Sequence, residues 1–176
     1  MKLRQDSYFK DFLTKLSDHK LAMIGVAVLL VMILVVIFVP IFLNLDPIKS
    51  DIAAFGASPS AKYPLGTDPI GRNIFARFLY GGRVSLTVGV LSSLIGVMIG
   101  VPLGLLAGYY RGWIEIIIMR LADIFMSFPS IILILVLISV IGPSIWSVTL
   151  VIGFLGWTQF ARLIYANVLS IREKEY

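Results

Sequence analysis

Long apolar segments alternate with short polar ones along this chain. Leu21 to Leu45 runs for 25 residues without a charged side chain, and Val84 to Tyr110 is also uncharged. A helix needs about 20 apolar residues to cross ~30 Å of hydrocarbon, so each of these segments predicts one span. Ile124 to Ala161 continues uncharged for 38 residues and is interrupted by Gly142-Pro143-Ser144, which predicts two spans joined by a turn.

The pattern predicts an all-α integral membrane protein with about four transmembrane helices. Composition agrees, because 59% of the 176 residues are hydrophobic, 14% are charged and the mean hydropathy is +0.95. Soluble domains are about 45–50% apolar and about 25% charged.

Two shorter helices are also predicted. Residues 5–18 place apolar side chains on one helical face, which is typical of an amphipathic helix in the membrane surface, although a solvated tail remains an alternative. After Asp68-Pro69, apolar positions recur in helical register as far as Gly81-Gly82. This predicts a short helix on the outer surface that Asp68 caps and the two glycines end.

The predicted organisation has four parts. They are a cytoplasmic or interfacial segment at 1–20, a first transmembrane helix at 21–45, an extracytoplasmic loop at 46–83, and three further spans within 84–176. In the third span, Arg120 and Asp123 are expected to pair at the cytoplasmic end, and Phe128-Pro129 is expected to bend the helix.

Basic residues predict the orientation of the chain. Five of them precede the first span: Lys2, Arg4, Lys10, Lys15 and Lys20. The positive-inside rule therefore places the N-terminus in the cytoplasm, although the outer loop also carries five basic residues.

The second span carries small residues at every fourth position. They are Ser92, Gly96, Gly100, Gly104 and Gly108. Residues four apart share one face of a helix, and such faces let membrane helices approach closely. We predict that this face packs against another helix; the alternative is the general abundance of glycine in membrane spans.

Several kinds of chemistry are missing from the sequence. Without cysteine, no disulfide, zinc-thiolate or iron–sulfur site can form, and the single histidine, His19, is interpreted as a solvated side chain before the first span. No phosphate-binding loop of the GxxxxGK[ST] type, no HExxH and no GxSxG occurs. We therefore expect no cofactor or metal, and no enzymatic activity in this chain.

The order of motifs resembles one family over essentially the whole chain. The most specific match is the loop from Pro64 to Asn73, PLGTDPIGRN, followed by YGGRVSL from Tyr80 to Leu86. Asp18 to Gly25, Gly104 to Tyr110 and Met119 to Asp123 follow the same family order. These segments resemble the C-type permease subunit of dipeptide, oligopeptide and nickel ABC importers. The loop-motif residues are Gly66, Thr67, Asp68, Gly71, Arg72 and Arg83.

The resemblance implies a transport function and a set of partners. The chain would form part of a solute pathway in a bacterial or archaeal cytoplasmic membrane, together with a second permease subunit as a heterodimer. Cytoplasmic ABC ATPases would drive transport, and an extracytoplasmic solute-binding protein would deliver the peptide, nickel or related solute. The resemblance implies lipid as surroundings and no nucleic acid as partner.

The chain departs from the family pattern at two places. Asn73 stands where the family more often has Asp, which would weaken a pair between that position and an arginine. The residues Arg172, Glu173, Lys174, Glu175 and Tyr176 resemble the approach to the EAA loop that docks on the ATPase. We therefore expect a chain truncated before that loop; the alternative is a non-transporting membrane interaction protein or a remnant that lacks ATPase coupling.

The loop motif itself has two interpretations. Its glycines, including Gly81, suit turns and Asp68 suits a helix cap, which is a structural role. Contact with the solute-binding protein is the functional alternative.

Overall fold

The computed structural model describes residue 14 and residues 16–172. Five α-helices follow one another: α1 at Lys20–Phe42, α2 at Ile74–Tyr110, α3 at Gly112–Ser127, α4 at Ser130–Ile141 and α5 at Ile145–Arg172. A single 3-10 turn at Ile52–Ala54 lies in the loop between α1 and α2. This part of the chain contains no β-strand, only isolated bridges between Ser50 and Arg72 and between Thr67 and Asn73. The all-α fold class is therefore confirmed.

Within the described part of the chain, three helices are long and apolar enough to cross a membrane. They are α1, α2 and α5, and α3 with α4 makes a fourth candidate if that bent pair is one span. The prediction of about four spans agrees with this result. The predicted amphipathic helix at 5–18 falls largely outside the described residues.

The first helix, α1, covers most of the first predicted span. Its side chains are aliphatic or aromatic almost throughout, with Pro40 inside the last turn. His19 occupies the position before the helix, is exposed and makes no capping hydrogen bond through its side chain. The helix ends where Asn44 adopts a positive φ of 46°.

The predicted short helix that stops at Gly81-Gly82 is wrong. Instead α2 runs without interruption for 37 residues, from Ile74 through both glycines to Tyr110. Neither glycine has the positive φ that a helix-ending glycine adopts. At Gly82 a Cβ would lie 2.9 Å from Val36 Cγ2, so the missing side chain allows α1 and α2 to approach each other.

Pro129 divides the third span into two helices. The axes of α3 and α4 differ in direction by 88° across the break after Ser127. Proline cannot continue the hydrogen bonding of the preceding turn, which explains the bend predicted at this dipeptide. The pair is either a broken span or a re-entrant segment.

The last helix, α5, begins after the predicted turn. Gly142 ends α4 with a φ of 101°, and Ser144 Oγ accepts a hydrogen bond from the Ser147 backbone N–H. The chain divides after Arg83 into two compact units. The first holds α1, the loop that follows it and the start of α2, and the second holds the remainder of α2 with α3, α4 and α5.

Candidate functional site

In the second unit, the small-residue face of α2 lies against α5. A Cβ at Gly100 would lie 2.5 Å from the Trp157 carbonyl oxygen, and one at Gly104 would lie 2.5 Å from the Ala161 carbonyl oxygen. Because these neighbours are backbone atoms, they could not move aside for a side chain. The two helices therefore pack backbone to backbone at this glycine seam.

The glycine seam extends over several turns in both directions. A Cβ at Gly96 would lie 3.0 Å from the Phe160 ring, and one at Gly108 would lie 2.7 Å from Val168 Cβ. Ser92 is buried and donates to the Gly89 carbonyl within its own helix. All five residues of the predicted packing face thus lie on the side of α2 that faces α5.

The sequence reasoning missed the glycine on the opposite side. A Cβ at Gly153 of α5 would lie 2.7 Å from Ile95 Cβ and 2.9 Å from the Ser92 carbonyl oxygen. Gly153 stands alone rather than in a four-residue repeat with other glycines, so the sequence pattern gave little signal for it.

An apolar core joins α3 to the same helix pair. Ala122, Trp157 and Ala161 are buried together, with Ile99, Leu103, Ile118 and Phe125 packed around them. The Phe125 ring meets the Trp157 ring edge to face at 6.1 Å. Such aromatic pairs add about 0.5–1.5 kcal/mol to the burial of their area.

Polar side chains also link α3 to α5. The Tyr165 hydroxyl donates to Glu115, and Arg162 forms an ion pair with Asp123. The predicted pair of Arg120 and Asp123 is also present, but its atoms are 3.9 Å apart and Arg120 is mostly exposed. Sequence spacing could suggest the local pair, whereas the two links to α5 depend on tertiary packing.

In the first unit, the loop between α1 and α2 is organised around Asp68. Its Oδ1 accepts hydrogen bonds from the backbone N–H groups of Ile70 and Arg72. Its Oδ2 pairs with Arg72 Nε at 2.8 Å and with Arg77 at 2.5 Å. Burial by itself would raise the pKa of Asp68, but the hydrogen bonds from Arg72, Ile70 and Arg77 outweigh it and hold the pKa well below its usual range.

Asp68 is therefore not the cap of the helix, and that prediction is wrong. Asn73 takes this role, because its Oδ1 accepts from the N–H groups of Phe75 and Ala76 at the beginning of α2. Asn and Asp are both good capping residues, so Asn73 can cap the helix although the family more often has Asp at this position. The arginines nearby pair with Asp68 instead.

Glycines allow this loop to fold closely on itself. Gly66 and Gly71 have φ values of 74° and 78°, which side chains rarely tolerate. A Cβ on either would also overlap a backbone carbonyl oxygen, that of Ala57 or Asp51 respectively. Thr67 between them is buried and donates to the Ala54 carbonyl. Gly81, by contrast, lies inside a helix with open space around it and forms no turn.

A second acidic centre in the loop is Asp51. Its Oδ2 accepts from the Tyr63 hydroxyl at 2.6 Å and from Lys62 Nζ at 2.9 Å. These two hydrogen bonds, with a further one from Ala53 N–H, lower the pKa of Asp51 to about 2. A surface depression of about 630 Å³ lies beside it, lined in part by Asp46, Lys49 and Asn73.

Arg83, Gln159 and Arg172 lie apart from these clusters. Arg83 donates hydrogen bonds to the backbone carbonyls of Val36 and Ile37 in α1. Gln159 is exposed and lines a cavity of about 290 Å³ beside the α3–α4 break. Arg172 donates to the Tyr109 carbonyl, and residues 173–176 of the predicted coupling approach lie outside the described residues.

No metal site is apparent in the described residues. Within them, no group of three or more His, Cys, Asp or Glu side chains is placed to hold an ion.

Two family models match separate segments of the chain. The model described as the N-terminal TM domain of oligopeptide transport permease C matches residues 7–59. The model described as binding-protein-dependent transport system inner membrane component matches residues 100–176.

Proteins similar to this chain include several permeases. The dipeptide transport system permease protein DppC of Alkalihalophilus pseudofirmus is 35% identical over 97% of this chain and 56% of its own length. The oligopeptide transport system permease protein OppC of Bacillus subtilis is 32% identical over the same shares of the two chains. The glutathione transport system permease protein GsiD of Pectobacterium atrosepticum is 40% identical over 72% of this chain and 42% of its own.

The chain spans about half the length of the relatives it matches. These relatives are named as transport components rather than enzymes. Both matched segments and the all-helical, multi-pass architecture agree with one assignment. The chain belongs to the family of binding-protein-dependent transport system inner membrane components.

Proposed function

We propose that this chain acts as a transmembrane permease subunit of an ABC importer for peptides or a related small solute. The observation that carries the proposal is its similarity, over 97% of its residues, to dipeptide and oligopeptide permeases. The helices supply a scaffold for a pathway, and ATP hydrolysis belongs to separate subunits.

The glycine seam suits this function mechanically. At Gly100 and Gly104 the nearest atoms of α5 are backbone carbonyl oxygens, which cannot rotate away as a side chain can, so the helices move as one rigid body. An importer that alternates between inward- and outward-facing states requires such rigid elements. The apolar core around Trp157 extends the same rigid body to α3.

The partners in this proposal follow from the family. A second permease subunit completes the pathway as a heterodimer, and ABC ATPases dock on the cytoplasmic side. The N-terminus is cytoplasmic, which leaves the loop at 46–73 outside, where a solute-binding protein docks. Peptides are favoured over nickel, because the similar permeases are named for dipeptide, oligopeptide and glutathione transport.

Purification of the complex tests these assignments. The gene that encodes this chain is tagged in its own genome, and membranes are solubilised in mild detergent. The proposal expects a second permease and an ABC ATPase to co-purify, with ATPase activity that increases when peptide-loaded binding protein is added. Isolation of the tagged chain without an ATPase would favour the alternative, a non-transporting membrane interaction protein.

A further inference from the structure

The start of α2 contacts α1 at one turn, and Pro40 lies at the end of that turn. The buried residues of α1 are Val36 and Pro40, four positions apart and therefore on one face. Gly82 lies against Val36, where a Cβ would be 3.8 Å from Val36 Cβ and 2.9 Å from its Cγ2. The contact is thus centred on the turn that ends in proline.

Proline leaves this turn of α1 without one of its internal hydrogen bonds. In a regular helix the N–H of residue 40 would donate to the carbonyl of Val36, but Pro40 has no N–H. In hydrocarbon no water is present to take over, so a free carbonyl must find a donor in the protein.

Arg83 supplies that donor. Its Nε donates to the Val36 carbonyl oxygen at 2.8 Å, and its Nη2 donates to the Ile37 carbonyl oxygen at 2.6 Å. The guanidinium also lies over the Tyr80 ring, 4.8 Å from the centroid, which holds the planar group in place from the same helix. Gly82 next to it allows the close approach.

We propose that Arg83 is a positioning residue that supplies the hydrogen bond which α1 lacks at Pro40 and so fixes the first span to the start of α2. Two adjacent carbonyls match the rigid fork of a guanidinium, and a lysine ammonium cannot reproduce that geometry. This role concerns the assembly of the chain and does not depend on which solute is transported.

A pair of substitutions separates this role from general packing. Arg83→Ala leaves the Val36 carbonyl without its donor, and we expect the thermal midpoint of the purified, detergent-solubilised protein to fall by at least about 3 °C. Pro40→Ala restores an N–H at residue 40, so Arg83→Ala in that background should lower the midpoint by less than half as much. Arg83→Lys should lie between the wild type and Arg83→Ala.

A second measurement works in membranes and needs no stable purified variant. The chain contains no cysteine, so Val36→Cys with Gly82→Cys introduces the only thiols, and the separation of the two Cβ positions suits a disulfide. Oxidation should protect both thiols from a polyethylene glycol maleimide. The matched control is Val36→Cys with Gly81→Cys, since a Cβ at Gly81 has no neighbour within 4 Å.

The proposal expects Arg83→Ala to lower disulfide formation in the Val36–Gly82 pair at least several-fold. Adding Pro40→Ala should restore it. If Arg83→Ala lowers disulfide formation equally with and without Pro40→Ala, the proposal is overturned, because the effect of a packing defect at residue 83 does not depend on the N–H of residue 40. An unchanged midpoint together with unchanged cross-linking in Arg83→Ala would overturn it as well.

Discussion

Single carboxylates hold the loop between α1 and α2 in its shape. Asp68 uses one oxygen for two backbone N–H groups and the other for two arginines. Sequence reasoning identified Asp68 as important but gave it the wrong partner, since an Asp-Pro pair commonly begins a helix. Asn73, five residues later, caps α2 instead, and only the folded loop shows that the chain makes an additional turn first.

Substitutions of Asp68 should show which of its two oxygens matters more. Asp68→Asn keeps an acceptor for the N–H groups of Ile70 and Arg72 and loses the charge that Arg72 and Arg77 pair with. Asp68→Ala loses both. We expect the amount of protein in the membrane, measured by immunoblot, to fall more for Ala than for Asn. Normal amounts of both variants with failed solute uptake would instead indicate that Asp68 contacts the binding protein.

Asp51 gives the loop a pH dependence whose sign follows from its lowered pKa. The pKa falls from 3.8 to about 2 on folding, so the stabilisation is complete above about pH 4 and is lost as the pH falls to about 2. Tyr63→Phe removes the largest cause of the shift. We expect its thermal midpoint to be below that of the wild type at pH 7 and the difference to narrow steadily below pH 4. A difference that grows on acidification would contradict this assignment.

At the scale of helices, the regularly spaced glycines of α2 and the Gly81-Gly82 pair differ in how far the sequence alone indicates their structural role. Residues four apart on α2 share a face by geometry alone, and that face meets α5. From the sequence, the Gly81-Gly82 pair indicates the end of a helix, because glycine often ends helices. In the structure α2 continues through both glycines, and Val36 of α1 occupies the space beside Gly82. Rules that consider only residues adjacent in the sequence do not include this contact between two helices.

The glycine seam predicts a sharp contrast between two substitutions in α2. Gly100→Ala places a Cβ 2.5 Å from the Trp157 carbonyl oxygen, and overpacking of this kind costs about 1–3 kcal/mol. Gly89→Ala is the matched control, because nothing lies within 4 Å of its Cβ position, and its effect should remain within about 0.5 kcal/mol. Thermal unfolding in detergent measures both. Equal effects would show that helix propensity rather than packing is responsible.

At the scale of the whole molecule, the number of spans and the broken third span followed from hydropathy and from proline. The links of Glu115 and Asp123 to α5 did not, because their partners Tyr165 and Arg162 are 50 and 39 residues away. The family followed from ordered loop motifs, which record a shared fold more specifically than apolar composition does. Orientation in the membrane rests on charge distribution and remains a prediction.

Labelling of single cysteines tests that orientation. Because the chain has no cysteine, Ser58→Cys in the loop between α1 and α2 and Gly112→Cys at the start of α3 each give one reporter. We expect a membrane-impermeant maleimide to label intact cells only at position 58, and to label position 112 after permeabilisation. The reverse pattern would place the N-terminus outside.

Solute uptake tests the proposed transport function of this chain. The gene that encodes this chain is deleted in its own organism, and uptake of radiolabelled dipeptides, oligopeptides and nickel is measured with and without the gene restored. We expect uptake of at least one peptide class to be lost when the gene is deleted and to return when it is restored. In cells that carry the gene, depletion of cellular ATP should lower this uptake to the level of the deleted strain. Unchanged uptake of every peptide in the deleted strain would contradict the proposed function.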